Sequence, residues 1–109
     1  MYPLELVAEK IAQSDTITTL EAAERIGRRV MVAGVRQTTH RSRTAKGETI
    51  LFLTLEDLHG MLDAILFPDA YRAAKSMVGS STSLLVMGLM EMDSERGEPF
   101  IRVERFRKL

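Results

Sequence analysis

The sequence predicts an all-β barrel of five strands with accessory helices, and three observations predict it. From Arg28 onward, apolar residues recur in short runs with a period of two, divided by Gly-bearing turns. Between the third and fourth runs stands one helical stretch, PDAYRAAKSMV. The first run carries an internal glycine, Gly34, as expected of a strand that must bend to close a barrel. Strand, strand, strand, helix, strand, strand is the order of an OB-fold barrel, with its helix between strands three and four. An SH3-like barrel leaves that helix without a place.

The elements follow in chain order. Pro3 suits a first helical turn, and Leu4, Val7, Ala8 and Ile11 recur at helical spacing, so residues 3–14 read as a helix. A second, short helix restarts in SDTITTLEAAERIG, where Thr18 and Glu21 have capping-box spacing and Gly27 is the stop. Residues 1–27 therefore form a helical leader, an appendage to an OB-fold domain at 28–109. RRVMVAGVRQTT is the first strand, with a bulge or bend expected at Gly34. HRSRTAKGE reads as a polar loop. TILFLTLED alternates Leu51, Leu53 and Leu55 on one face with Phe52, Thr54 and Glu56 on the other. DLHG is a hairpin turn and MLDAILF the third strand. The helix starts at Pro68 and Asp69 and stops at Gly79. TSLLVMGLMEM and FIRVERF, separated by the loop DSERGEP, complete the set.

Composition bounds the function. The chain has 109 residues, 12.2 kDa and no cysteine, which fits one domain in a reducing compartment and excludes disulfides and thiolate metal sites. No apolar run reaches the roughly 18 residues of a membrane span. MYPLELVAEK lacks the layout of a signal peptide. The expectation is a cytoplasmic protein with no membrane partner.

Charge is balanced in total, at 15 bases and 15 acids, but it is segregated along the chain. Residues 25–47 hold seven bases and no acid, and residues 99–109 hold four bases and one acid. Residues 48–98 hold nine acids and three bases. If the fold joins the two basic segments, a positive face results. If it keeps them apart, they only solvate the surface.

In an OB barrel the loops between strands one and two and between strands four and five border the ligand groove. Arg36, Arg41, Arg43 and Lys46 fall at the end of strand one and in the first of those loops, where a phosphate backbone would pass. The alternative is a solvated loop. Phe52 and Thr54 lie on the strand-two face opposite the leucines, where an aromatic ring can stack on a base. The competing role for Phe52 is a satellite contact under the first loop. Strand five is expected to pair with strand one, so that the C-terminal bases Arg102, Arg105, Arg107 and Lys108 extend the same face. Glu56, Asp57, His59 and Asp63 are close in sequence, but turn chemistry accounts for Asp57 and Gly60 without a metal. No phosphate-binding loop or nucleophile elbow is present, and no cofactor or catalytic group is expected.

Several of these residues also carry a family pattern. VAG at 32–34, TAKG at 44–47, FLTLED at 52–57, Gly60, and FP at 67–68 followed by Tyr71 and Arg72 resemble the C-terminal OB domain of bacterial C-family DNA polymerases. These are the polymerase III alpha subunits, and the wording is most similar to their error-prone paralogues. YPLELV resembles the segment preceding that domain, so the resemblance covers essentially the whole chain. It implies a non-catalytic module that contacts single-stranded template beside the polymerase, the catalytic carboxylates belonging to a domain far upstream. The same barrel serves as the anticodon-binding domain of class II aminoacyl-tRNA synthetases. By that resemblance Phe52 takes the place of a base-stacking aromatic, and Arg36 and Arg41 of basic strand-one and loop positions. Asp63 departs from the pattern, standing where the synthetases carry a base-reading Gln. An anion there weakens phosphate contacts, argues against specific base reading and disfavours a tRNA role.

The leading expectation is an OB module binding single-stranded DNA through Arg36, Arg41, Arg43, Lys46, Phe52 and Thr54. The rival is a protein-interaction domain that docks another replication protein.

Overall fold

A computed structural model describes residues 16–78 and 83–108. The helix expected at 3–14 and the stop at Gly79 lie outside these. Seven elements follow in order: α1 (Thr19–Ala23), β1 (Arg29–Arg43), β2 (Thr49–Asp57), β3 (Gly60–Leu66), α2 (Pro68–Val78), β4 (Ser83–Asp93) and β5 (Glu98–Lys108). The strands close into a barrel in the order β1-β2-β3-β5-β4. Every pairing is antiparallel except β3 with β5. This is the OB-fold barrel, with its helix between strands three and four.

The period-two pattern decides which face is inside. Leu51, Leu53 and Leu55 are at most 4% exposed, while Phe52, Thr54 and Glu56 on the opposite face are half-buried. Leu62, Ala64 and Leu66 of β3 and Ile101 and Val103 of β5 complete the same interior by the same alternation. α2 closes one side of the barrel with Ala74, flanked by Ala70 and Tyr71.

β1 belongs to two pairings. Residues 29–35 run against β4, and residues 35–43 run against β2. The strand bends between them at Gly34, where a Cβ atom would lie 2.9 Å from the Glu56 carbonyl oxygen. Gly34 is thus the site of a close backbone approach, while the bulge itself sits three residues on. The ladder skips Gln37 between Arg36 and Thr38. That one extra residue reverses the facing of everything after it.

Three expectations are corrected. First, the front of HRSRTAKGE is strand: β1 continues through residues 40–43 to Arg43, which pairs with Thr49, and residues 44–48 form the loop. The ladder thus continues through residues 40–43, which composition alone marks as loop. Second, β5 pairs with β3 and β4, and β1 pairs with β2 and β4, so strands one and five are not neighbours. The parallel register of Asp63 with Phe100 and Ile65 with Arg102 closes the barrel instead.

Third, the short helix is no appendage. Ala22 is fully buried in the core and Thr19 is 1% exposed. The expected capping box is present: Glu21 N–H donates to Thr18 Oγ1 and Thr18 N–H donates to Glu21 Oε1, each at 3.1 Å. Asp57, at the end of β2, accepts from both the N–H and the hydroxyl of Thr19 at 2.8 Å. The same carboxylate accepts from the His59 and Gly60 N–H groups at 2.9 and 3.0 Å, which builds the β2–β3 turn. On either side of α1, Ile17 N–H donates to Met31 and Gly27 N–H donates to Met90. Residues 16–28 are woven into one end of the barrel.

Candidate nucleic-acid interface

The register brings two rows of side chains onto one outer face. One row runs Thr38, Thr54, Asp63, Phe100 and the next runs His40, Phe52, Ile65, Arg102, across β1, β2, β3 and β5. Cross-strand partners point to the same side of a sheet, so these two rows form a continuous wall. All of the wall except Arg102 lines the floor of an open cleft of about 430 Å³. The β1–β2 arm borders it on one side and the β4–β5 turn on the other, which is the groove position of an OB barrel.

The floor is apolar at one end and polar at the other. The His40 and Phe52 rings lie 6.0 Å apart at 41°, beside Ile65. Thr38 Oγ1 donates to Thr54 Oγ1 at 3.3 Å, and Thr54 Oγ1 donates to Asp63 Oδ1 at 3.4 Å. At the rim, Asp93 accepts from the Glu95 N–H at 2.9 Å and the Arg96 N–H at 3.3 Å. It also pairs with the Arg96 guanidinium at 3.5 Å. The cleft is lined by the acids Asp63, Asp93 and Glu98 and by one arginine, Arg96. Among the described residues, no group of three or more His, Asp and Glu side chains converges as a metal site would require.

The six residues expected from sequence separate into two sets. Phe52 and Thr54 are in the cleft. Arg36, Arg41, Arg43 and Lys46 do not line it. Arg36 pairs with Leu55, before the bulge, and is half-buried on the leucine side of the sheet. After the bulge Arg41 pairs with Leu51 and Arg43 with Thr49, so both stand on the face opposite Phe52. Both are exposed, and one Arg43 guanidinium nitrogen approaches the Gly47 carbonyl at 3.5 Å. Lys46 is exposed in the loop itself, which Thr44 organises by accepting from the Lys46 and Glu48 N–H groups. Arg41, Arg43 and Lys46 are therefore on the back and tip of the arm.

The C-terminal bases also scatter. Arg102 sits over the Phe67 ring at 4.2 Å and pairs with Glu91 at 3.6 Å. Arg105 and Arg107 border a separate cleft against α2.

Sequence reasoning missed His40, Ile65, Arg96 and Phe100 as groove residues. His40 and Phe100 had a signal available, since an aromatic on an otherwise polar strand end has no core to enter. The position of His40 depends on the bulge, and nothing in the sequence marks Gln37 as the extra residue.

Fold and groove together define an OB-fold domain with an open, aromatic-bearing cleft. The barrel superposes with a TM-score of 0.64, at 25% identity, on asparaginyl-tRNA synthetase from Pyrococcus horikoshii complexed with asparaginyl-adenylate. That match covers 86% of this chain and 22% of the synthetase. RecG bound to a three-way DNA junction gives a TM-score of 0.68 at 14% identity, covering 86% of this chain and 12% of RecG.

In sequence, the error-prone DNA polymerase of Symbiobacterium thermophilum is 31% identical over 107 residues, 97% of this chain and 10% of the polymerase. The error-prone DNA polymerase of Cutibacterium acnes is 40% identical over 68 residues, 62% of this chain and 6% of that protein. The DNA polymerase III subunit alpha of Halalkalibacterium halodurans is 40% identical over 67 residues, with the same shares. No protein-family model matches the chain. The chain matches a C-terminal domain of bacterial C-family DNA polymerases, and it spans about a tenth or less of those relatives' length.

Proposed function

We propose that this OB barrel is the single-stranded-DNA-binding module of a polymerase III alpha-like replication or translesion polymerase. It would hold template in the groove while the chemistry is done elsewhere in the protein. The observation that carries this reading is the His40–Phe52 ring pair, set on the groove floor rather than in the core. An aromatic face open to a groove accepts any base by stacking, at roughly 1–3 kcal/mol per base. Arg41, Arg43 and Lys46 act from outside the groove, meeting phosphates that pass around the arm.

Fluorescence anisotropy with a labelled 12-nucleotide single strand and the matching duplex, at low salt, tests the reading. Single strand should bind and duplex should bind more weakly, and Phe52→Ala should weaken single-strand binding about tenfold or more. Equal binding of both forms, untouched by the Phe52 change, defeats it.

One observation favours the rival, a surface for another replication protein. Leu20, Leu58 and Met61 are 60%, 101% and 66% exposed. Leu58 is in the β2–β3 turn, Met61 begins β3, and Leu20 follows Thr19, which is bonded to Asp57 of that turn. This apolar group lies outside the residues that line the groove, so the two functions are separable by mutation.

A further inference from the structure

We infer that the groove prefers guanine, with Asp63 as the residue that reads it. The inference rests on the single-strand reading above and adds a base to it. Asp63 is half-buried on the groove floor, one diagonal step from Phe52 on the neighbouring strand and directly beside Phe100. A base stacked on the Phe52 face and held within the sheet's width therefore has one edge against this carboxylate.

The carboxylate is held in place before any ligand arrives. The Thr38 hydroxyl donates to Thr54 at 3.3 Å, and the Thr54 hydroxyl donates to Asp63 Oδ1 at 3.4 Å. This line of hydroxyls faces its donors toward Asp63. Among the described residues one acceptor site of the carboxylate is used, and the others remain for a ligand.

An ionised carboxylate only accepts hydrogen bonds, which decides among the bases. Guanine alone presents two adjacent donors on its pairing edge, the ring N1–H and the exocyclic amino group. Both oxygens of one carboxylate can accept them side by side. Adenine and cytosine offer one amino group next to an acceptor nitrogen, which faces the carboxylate unfavourably. Thymine offers one N–H between two carbonyl oxygens, and both of those repel an anion. Leaving an acceptor facing an acceptor in a partly desolvated groove is costly, so the discrimination is against three bases as well as for one.

Arg96 does not neutralise this site by direct pairing, because its guanidinium is engaged by Asp93 at the rim. The same acid that weakens contact with phosphate thus supplies selectivity at the base. This combination predicts opposite effects of one substitution on two ligands.

The test uses the 109-residue chain and labelled oligothymidylates that carry one central substitution: guanine, inosine, adenine, cytosine or none. Inosine keeps the N1–H of guanine and lacks the amino group. The guanine strand should bind at least about fivefold tighter than the inosine and all-thymine strands, the low end of a bidentate contact. Asp63→Asn should weaken the guanine strand to the level of the others. It should leave the all-thymine strand unchanged or tighter, since an anion has left the groove. Asp63→Ala, a second variant, should also erase the preference, and thermal melts confirm that each variant is folded. A parent without preference for guanine over inosine overturns the inference, as does a preference surviving both substitutions. If no strand binds at low salt, the single-strand reading itself fails and the inference falls with it.

Discussion

Asp57 shows how much one side chain can organise. Its carboxylate takes four donors from three residues of two segments: the N–H and hydroxyl of Thr19, and the N–H groups of His59 and Gly60. Burial works to raise its pKa, but the donors from Thr19, His59 and Gly60 outweigh it and hold the group below its ordinary value. The folded state therefore binds this proton less readily than the unfolded chain. The stability Asp57 contributes is present above its unfolded pKa of about 3.9 and is lost as pH falls through the lower folded value. Asp57→Ala should cost about 1–3 kcal/mol at pH 7, because the Thr19 N–H and hydroxyl lose their acceptor in a nearly buried position. Denaturant unfolding from pH 7 to pH 2 checks both claims. The difference between parent and Asp57→Ala should shrink below about pH 4, and a constant gap would show that the carboxylate's charge is not the cause. The turn role of Asp57 was legible in DLHG, but its second role was not. Pattern reading does not connect residue 57 to a helix that starts 38 positions earlier.

At the scale of elements, the strands were legible because burial imposes a period of two, and their partners were less so. The leucine alternation placed the core face of β2 correctly from sequence alone, since a one-residue slip would expose all three leucines. The same logic failed along β1, where Gln37 interrupts the count, and at β5, whose neighbours depend on how the barrel closes. A glycine marks the register shift of the neighbouring β4–β5 ladder. A Cβ on Gly88 would lie 2.0 Å from the Arg102 carbonyl oxygen, at the point where the β4–β5 ladder shifts register. Neither backbone can yield without breaking ladder bonds, so Gly88→Ala should destabilise by about 3 kcal/mol or more. Gly47 provides the control. It has φ of +82° with nothing within 4 Å of a Cβ, so Gly47→Ala should cost only the left-handed backbone strain of about 1–2 kcal/mol. Parallel thermal melts of the two variants test the ordering, and a reversed order would mean that the barrel seam is looser than its register.

For the whole molecule, the proposed function must fit the distribution of charge. Among the described residues the groove is lined by three acids and one arginine, and the arginine is paired with one of those acids. A strand drawn in by charge alone would not enter there. Arg41, Arg43 and Lys46 instead stand on the arm, facing away from Phe52 or at its tip. Phosphates and bases should therefore be held by different sides of the same hairpin. On the proposed function, three of the seven bases in residues 25–47, Arg41, Arg43 and Lys46, stand near the groove without occupying its floor, while Arg25 and Arg29 pair with Glu21 and Glu104. With about three phosphates neutralised, log K should fall against log salt with a slope near −2, at roughly 0.7 per contact on a single strand. Arg41→Ala with Arg43→Ala should flatten that slope by about 1.4 and weaken all sequences alike. Phe52→Ala should lower affinity and leave the slope nearly unchanged, because stacking releases few counterions. The two changes should then be close to additive in a triple variant, since they act on opposite faces. A salt titration of all four proteins measures this directly. If the double arginine variant keeps the parent's slope, the arm only solvates the surface and the phosphates must be met elsewhere.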